Sequence, residues 1–212
     1  MTPATTPTLM LLHGARMSPP SWQDVVTELG ASRPLTAPWL RGLKPTQSGE
    51  FDIDAAVSDL LTRIDLDDLE QVDVCGVQLG GMVALRLAAE QPKAVRRLVL
   101  IDTPVAPGGG AGKVSRTLMR LMPESAFTEQ GVTKQSVLAA LDAMASIDVS
   151  AHLGKVTAPT LVLTSDDKAA QMSAEALTTK LASAEWRAIR GSNLLRDHAG
   201  EVAAAITEWL AR

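Results

Sequence analysis

The run Gly76-Val77-Gln78-Leu79-Gly80-Gly81 constrains this chain more than any other stretch of its sequence. A strand marked by Val72, Val74 and Val77, β-branched residues, runs into it, and it opens an Ala/Leu-rich segment that continues to about Glu90. Such text predicts a strand that enters a sharp turn and leaves it as a helix, with glycines wherever backbone must pass close to backbone. A chain built around that unit is expected to be α/β, because a strand followed at once by a helix returns to form a parallel neighbour.

The flanking sequence repeats the alternation. Thr8 to Leu12 is a short apolar run ending at His13-Gly14, the pattern of a strand buried on both faces. A loop with Ser18, Pro19 and Pro20 leads to a helix from about Ser21 to Leu29, and Pro34 to Ala37 reads as a second short strand. Asp52 or Asp54 is placed to cap a helix in which Ile53, Val57, Leu60, Leu61 and Ile64 recur at helical spacing. Val95–Ile101, Thr160–Thr164 and Trp186–Ile189 are three more candidate strands, with helices near 170–182 and from about Gly200 to Leu210. Between about residues 104 and 156 the alternation breaks into Pro- and Gly-containing text and two helical stretches rich in Leu, Met and Ala, which predicts a small cap. Pro107 to Gly112, with its three consecutive glycines, lacks the Lys and helix context of a phosphate loop and reads as a flexible connection into that cap. The expected architecture is one domain over 1–212, with a six-stranded, mainly parallel sheet covered by helices on both faces.

Composition excludes several function classes. The 212 residues, 46% hydrophobic and 21% charged, suffice for one core, and a net charge of −4 without a Lys/Arg cluster offers no field for a nucleic-acid backbone. The N-terminus lacks a leader-like pattern, no apolar run approaches about 18 residues, and the single Cys75 has no partner for an intrachain disulfide, so a cytoplasmic protein with no membrane attachment is expected. Aromatic residues make up 3%, with no Tyr, so stacking on a ligand would fall to few side chains, Trp39 first among them.

The order of these motifs resembles the α/β-hydrolase superfamily over nearly the whole chain: His13-Gly14 after the first strand, the elbow at 76–80, an acidic turn Ser165-Asp166-Asp167, and a last helix after the last strand. Family members usually carry two strands before the one that is first here, so the resemblance implies a trimmed sheet. It also implies a Ser-His-Asp triad, and the sequence departs from it twice. The family's elbow is G-x-S-x-G, and here Gln78 stands at the nucleophile position. The histidine position, in the turn before the final helix, matches Asn193 in Gly191-Ser192-Asn193-Leu194-Leu195. Of the two carboxylates after the fifth strand, Asp167 is the better match to the acid, and the alternative that both merely cap the next helix stays open.

A carboxamide has no hydroxyl to ionise and its nitrogen is too poor a nucleophile for acyl transfer. What the resemblance leaves intact is the oxyanion hole, made of backbone N–H groups that map to Leu79 and Ala15. Gln78, Asn193 and Asp167 are the expected catalytic positions, and His13, Arg16, Trp39 and Asp102 are candidate substrate contacts near the sheet edge where open α/β folds place ligands. Arg41 lies on the same edge. Neither a metal nor a cofactor is expected, and the partner is a small molecule. His198 is expected at the entry to the terminal helix, outside the site, His152 on the surface at the cap exit, and Cys75 as a buried, inert thiol. The degenerate triad leads to three readings: a cofactor-independent, non-hydrolytic enzyme such as a lyase, cyclase or isomerase using the oxyanion hole; a pseudo-hydrolase that binds a small molecule or a protein; or a hydrolase of ester-like substrates working through a non-standard site.

Overall fold

A computed structural model describes residues 6–45, 51–105, 118–128 and 132–212. Among them, six strands form one sheet in the order β2-β1-β3-β4-β5-β6, and every pairing is parallel. The strands are β1 (Thr8–Leu12), β2 (Leu35–Thr36), β3 (Val72–Val77), β4 (Val95–Ile101), β5 (Thr160–Thr164) and β6 (Ala184–Ala188). The sheet is thus wholly rather than mainly parallel. The order reverses direction between β1 and β3, and that reversal leaves a crevice beyond their carboxyl ends.

Side chains alternate along the central strands, and this splits the core into two layers. Met10, Leu12, Val74, Leu98, Leu100 and Val162 pack under α2 (Ile53–Leu66), α3 (Leu79–Glu90) and α5 (Lys168–Lys180). Leu9, Leu11, Cys75, Val77, Val99, Ile101, Leu161 and Leu163 face α1 (Gln23–Leu29) and α6 (Ala199–Leu210), where Trp22, Val25, Ile206 and Trp209 complete the cluster. Asp52 caps α2 by accepting from the Ala55 N–H at 2.6 Å, which decides between the two candidate caps. One buried charge interrupts the apolar pattern. Asp73 on β3 is fully buried and accepts from Arg33 at 2.8 Å and from Arg96 at 2.9 and 2.6 Å, while Arg96 also donates to the Leu210 carbonyl at 3.2 Å. A carboxylate taken out of water needs such partners.

The C-terminal third differs from expectation at a strand boundary and in one added helix. The sixth strand begins at Ala184, two residues before the predicted start, because it lies at the sheet edge with Glu185, Trp186 and Ala188 exposed, so its apolar signal is weak. A short helix, Leu194–Asp197, stands where a turn was expected, and it buries Leu194 and Leu195 in the α1/α6 layer. Within the proposed cap, α4 (Lys134–Ser146) is capped by Thr133. Met119, Phe127, Val132 and Val137 form a small apolar cluster there, against which Trp39 packs. Pro107 to Gly112, read as a flexible connection, lies outside the described residues.

Candidate active site

The elbow holds its shape because Gly76 and Gly80 let backbones touch and Gly81 makes room for the Thr103 side chain. A Cβ at Gly76 would stand 2.4 Å from the Gly80 carbonyl oxygen, one at Gly80 would stand 2.1 Å from that of Leu12, and one at Gly81 would meet Thr103 Oγ1 at 1.9 Å. Larger residues would push α3 off β1, β3 and the Thr103 turn. The helix therefore starts immediately at Leu79, and Gln78 is left between strand and helix at φ 50°, ψ −112°, a region that residues with a Cβ avoid. Four non-glycine residues among those described have left-handed φ, and three of them, Gln78, Asp102 (45°) and Asn193 (57°), line the same cavity. Clustering of backbone strain at a concave site is a functional signature.

That cavity, about 420 Å³, is bounded by Gln78, Asp102, Pro104, Met144, Ser165, Asp167, Ala169, Ala170, Ser173 and Asn193. A smaller one of about 220 Å³ shares Gln78, Asp102 and Asn193 and continues along Met17 and the Ser192–Leu195 turn. Among the described residues, neither the Gln78 nor the Asn193 carboxamide has a hydrogen-bond partner. The Gln78 side chain leans over the loop after β1, its Oε1 lying 3.1 Å from where a Gly14 Cβ would be. Leu79, as the first residue of α3, has a backbone N–H without an intrahelical acceptor, and Ala15 follows Gly14 in that same loop.

The two carboxylates of the cavity differ. Asp167 is exposed and caps α5, accepting from the Ala170 N–H at 2.9 Å. Asp102, at the end of β4, is half-buried, and Ser165 donates to its Oδ1 from both the backbone N–H (2.8 Å) and the hydroxyl (3.1 Å). Burial lifts the Asp102 carboxyl above the ordinary range, the Asp167 charge adds to the rise, and the two Ser165 bonds oppose it. Asp166 faces elsewhere: it exchanges bonds with Gly191, its N–H to the glycine carbonyl at 3.0 Å and its Oδ2 from the glycine N–H at 2.8 Å.

Several expected substrate contacts are placed differently. His13 is wholly buried, with Nδ1 2.9 Å from the Gly14 carbonyl and Nε2 accepting from the Leu40 N–H at 3.2 Å. Burial pushes its pKa down to about 4, so the ring is a neutral post between the loop after β1 and Leu40. Trp39 meets that ring edge-on at 5.3 Å and packs on the cap cluster, and Arg16 and Arg41 are exposed. None of these three borders either cavity. His198 also stands apart from both cavities, with Nδ1 3.0 Å from Glu201 Oε1 and Nε2 against Gly191. His152 is half-buried rather than on the surface, and accepts from Arg86 Nη1 at 2.8 Å. Cys75 is buried and its thiol is pushed well above its usual range. Among the described residues, no group of three or more His, Cys, Asp or Glu could hold a metal ion, and no helix is long and apolar enough to cross a membrane.

Comparison with known proteins gives the geometry its context. Over 101 residues the chain is 33% identical to a 2-hydroxymuconate semialdehyde hydrolase of Pseudomonas sp. (strain CF600), a match covering 45% of this chain and 36% of that protein. Over 203 residues it is 26% identical to the putative carbamate hydrolase RutD of Agrobacterium fabrum (strain C58), covering 78% and 77%. Its backbone is similar to that of the enol-lactonase from Burkholderia xenovorans LB400, with a TM-score of 0.87 at 17% identity over 100% of this chain and 94% of that one. The wholly parallel sheet, the glycine elbow and a family match over residues 9–205 together place this chain in the Alpha/beta hydrolase family.

Proposed function

We propose that the chain is a non-hydrolytic enzyme, a lyase, cyclase or isomerase, acting on a small carbonyl compound whose oxygen is held by the N–H groups of Leu79 and Ala15. The observation that carries this reading is Gln78 itself. It keeps the strained elbow conformation and lines the crevice with a carboxamide that has no hydrogen-bond partner among the described residues, although it offers no nucleophile. Backbone donors do not depend on a serine, so charge developing on a substrate oxygen is still stabilised where an acyl intermediate would otherwise sit. Gln78 and Asn193 then orient the substrate, and a cavity carboxyl moves protons. Incubation with small-molecule extracts, followed by mass spectrometry, tests this: products should be isomers or fragments of what disappears, and products that have gained the elements of water would overturn it.

The semialdehyde hydrolase and the putative carbamate hydrolase to which the chain is similar favour a second reading, in which an ester-like bond is cleaved by a hydroxyl other than one at position 78. An organophosphonate serine probe separates the two, since stoichiometric labelling at any serine supports the second and none is expected under the first. A chain that binds extract components but changes none of them is a pseudo-hydrolase.

A further inference from the structure

The charge on the cavity wall is carried by two carboxylates in unlike settings, and among the described residues no Lys, Arg or His lines it with them. Asp167 is exposed and already commits one oxygen to the end of α5. Asp102 sits at the carboxyl end of β4 with a left-handed backbone, next to Gln78 and Asn193 in both cavities. Ser165 grips only its Oδ1, from two directions, and no described residue bonds Oδ2. A side chain fixed by one oxygen with the other left open is arranged to exchange a proton rather than to hold the fold.

We propose that Asp102, not Asp167, is the catalytic base, taking a proton from the carbon beside the carbonyl of a small uncharged ketone or aldehyde. This rests on the reading that Leu79 and Ala15 hold the carbonyl oxygen. In the step, Oδ2 takes the proton as the C–H bond breaks. The electron pair forms the C=C bond while the carbonyl π pair moves onto oxygen, and the resulting enolate accepts from the two backbone N–H groups. The carboxyl returns the proton to the same carbon or, in a conjugated substrate, to the γ-carbon, so no oxidant, reductant or water is consumed. Partial burial supports the assignment, because a carboxylate that binds protons more tightly than an ordinary one is the stronger base. The requirement for an uncharged substrate follows from the wall. An anionic group would face two carboxylates with no cation among the described lining residues to answer it.

The experiment is hydrogen–deuterium exchange in D₂O, followed by proton NMR, on a matched pair of probes: levulinamide, which is neutral, and levulinate, which is anionic. The full chain should speed exchange beside the ketone of levulinamide above the buffer rate and act much more weakly on levulinate. Asp102→Asn should lower the enzymatic rate by about 100-fold or more. The rate should rise with pH to a plateau. Among the described groups Asp167 is the charged one acting on Asp102, so Asp167→Asn should move the midpoint to lower pH, whereas Ser165→Ala, which removes a hydrogen bond to the ionised form, should move it higher. These shifts keep the test decisive should Asp102→Asn fail to fold. Wild-type exchange in folded Asp102→Asn, midpoints that do not move in those directions, or equal action on both probes would each overturn the proposal. Amide NMR separates its failure from that of the underlying reading. Levulinamide that shifts the Leu79 and Ala15 resonances without exchanging overturns the role of Asp102 alone, and levulinamide that does neither overturns both.

Discussion

Ser165 donates twice to a single oxygen of Asp102, through its backbone N–H at 2.8 Å and its hydroxyl at 3.1 Å, yet burial still leaves that carboxyl harder to ionise than an exposed one. Its folded-state pKa therefore lies above its unfolded value. For an acid so shifted, the stabilising contribution is fully present below the unfolded pKa and is lost as pH rises through the folded one. Asp102→Asn, which mimics the protonated form, should accordingly raise the urea midpoint at neutral pH, and the gain should shrink toward pH 3. A variant less stable than wild type at pH 7 would show that the ionised carboxylate is a structural asset.

His13 gives the opposite dependence. Its pKa falls from 6.5 to about 4 on burial, so stability is fully present above the unfolded value and is lost as pH falls from 6.5 through 4. That difference corresponds to about 3 kcal/mol. Unfolding free energies measured from pH 7.5 to 4 should show a decline of that order, and His13→Gln should flatten it while lowering stability at pH 7. A wild-type curve that is flat across this window contradicts the buried neutral ring.

Strain at position 78 predicts a trade between stability and function. With φ at 50° and ψ at −112°, replacing Gln78 by Gly should relieve on the order of 1–3 kcal/mol of backbone strain, less the roughly 0.5–1 kcal/mol of added unfolded-state entropy. Gln78→Ala keeps the Cβ and should gain nothing. Chemical denaturation of the pair checks this, and loss of stability in Gln78→Gly would mean that the side chain contributes packing.

The same crevice should accept a rebuilt triad. Gln78→Ser with Asn193→His supplies a hydroxyl and a base at two positions that line one cavity with Asp102 and Asp167. Weak turnover of p-nitrophenyl acetate is expected from the double variant and far less from either single change, because a serine without a base is an ordinary alcohol. A folded double variant no faster than buffer, with hydroxyl and imidazole too far apart to hydrogen-bond, would show that position 193 does not take the family's histidine role.

His198→Ala should leave any native turnover within about threefold, since its ring is engaged by Glu201 and Gly191 away from both cavities; loss of a triad base typically costs about 10⁴-fold. A kinetic comparison at saturating substrate decides the matter.

The sequence made the sheet legible because its central strands are apolar on both faces, and it made the elbow legible because Gly76 and Gly80 mark where backbones must meet and Gly81 where a helix must admit a neighbouring side chain. Both carboxamides were visible as departures from a known pattern. Asp102 was visible only as an acid at a strand end, in Ile101-Asp102-Thr103-Pro104. What sets it apart from Asp167 is burial and the grip of Ser165, 63 positions away, and neither is written locally. His13 shows the reverse limit: a polar residue beside the site invites a ligand role until its two nitrogens are found occupied. Edge strand β6 starts two residues before its expected position because half-exposed strands carry little hydrophobic period.

Arg96 reaches from β4 to the carbonyl of Leu210, and α1 packs beside α6 on one face of the sheet. These partners stand more than a hundred positions apart, so that face cannot be finished by local collapse. As the chain is synthesised, β1, α1, β3 and β4 are available early, yet α1 is the first helix over Leu9, Leu11, Val99 and Ile101 on this side, and their cover is completed only when residues 199–210 have emerged. A ribosome-bound intermediate of this protein therefore carries a half-clothed sheet with its apolar side open, and holding that side is the work left to whatever meets the nascent chain first.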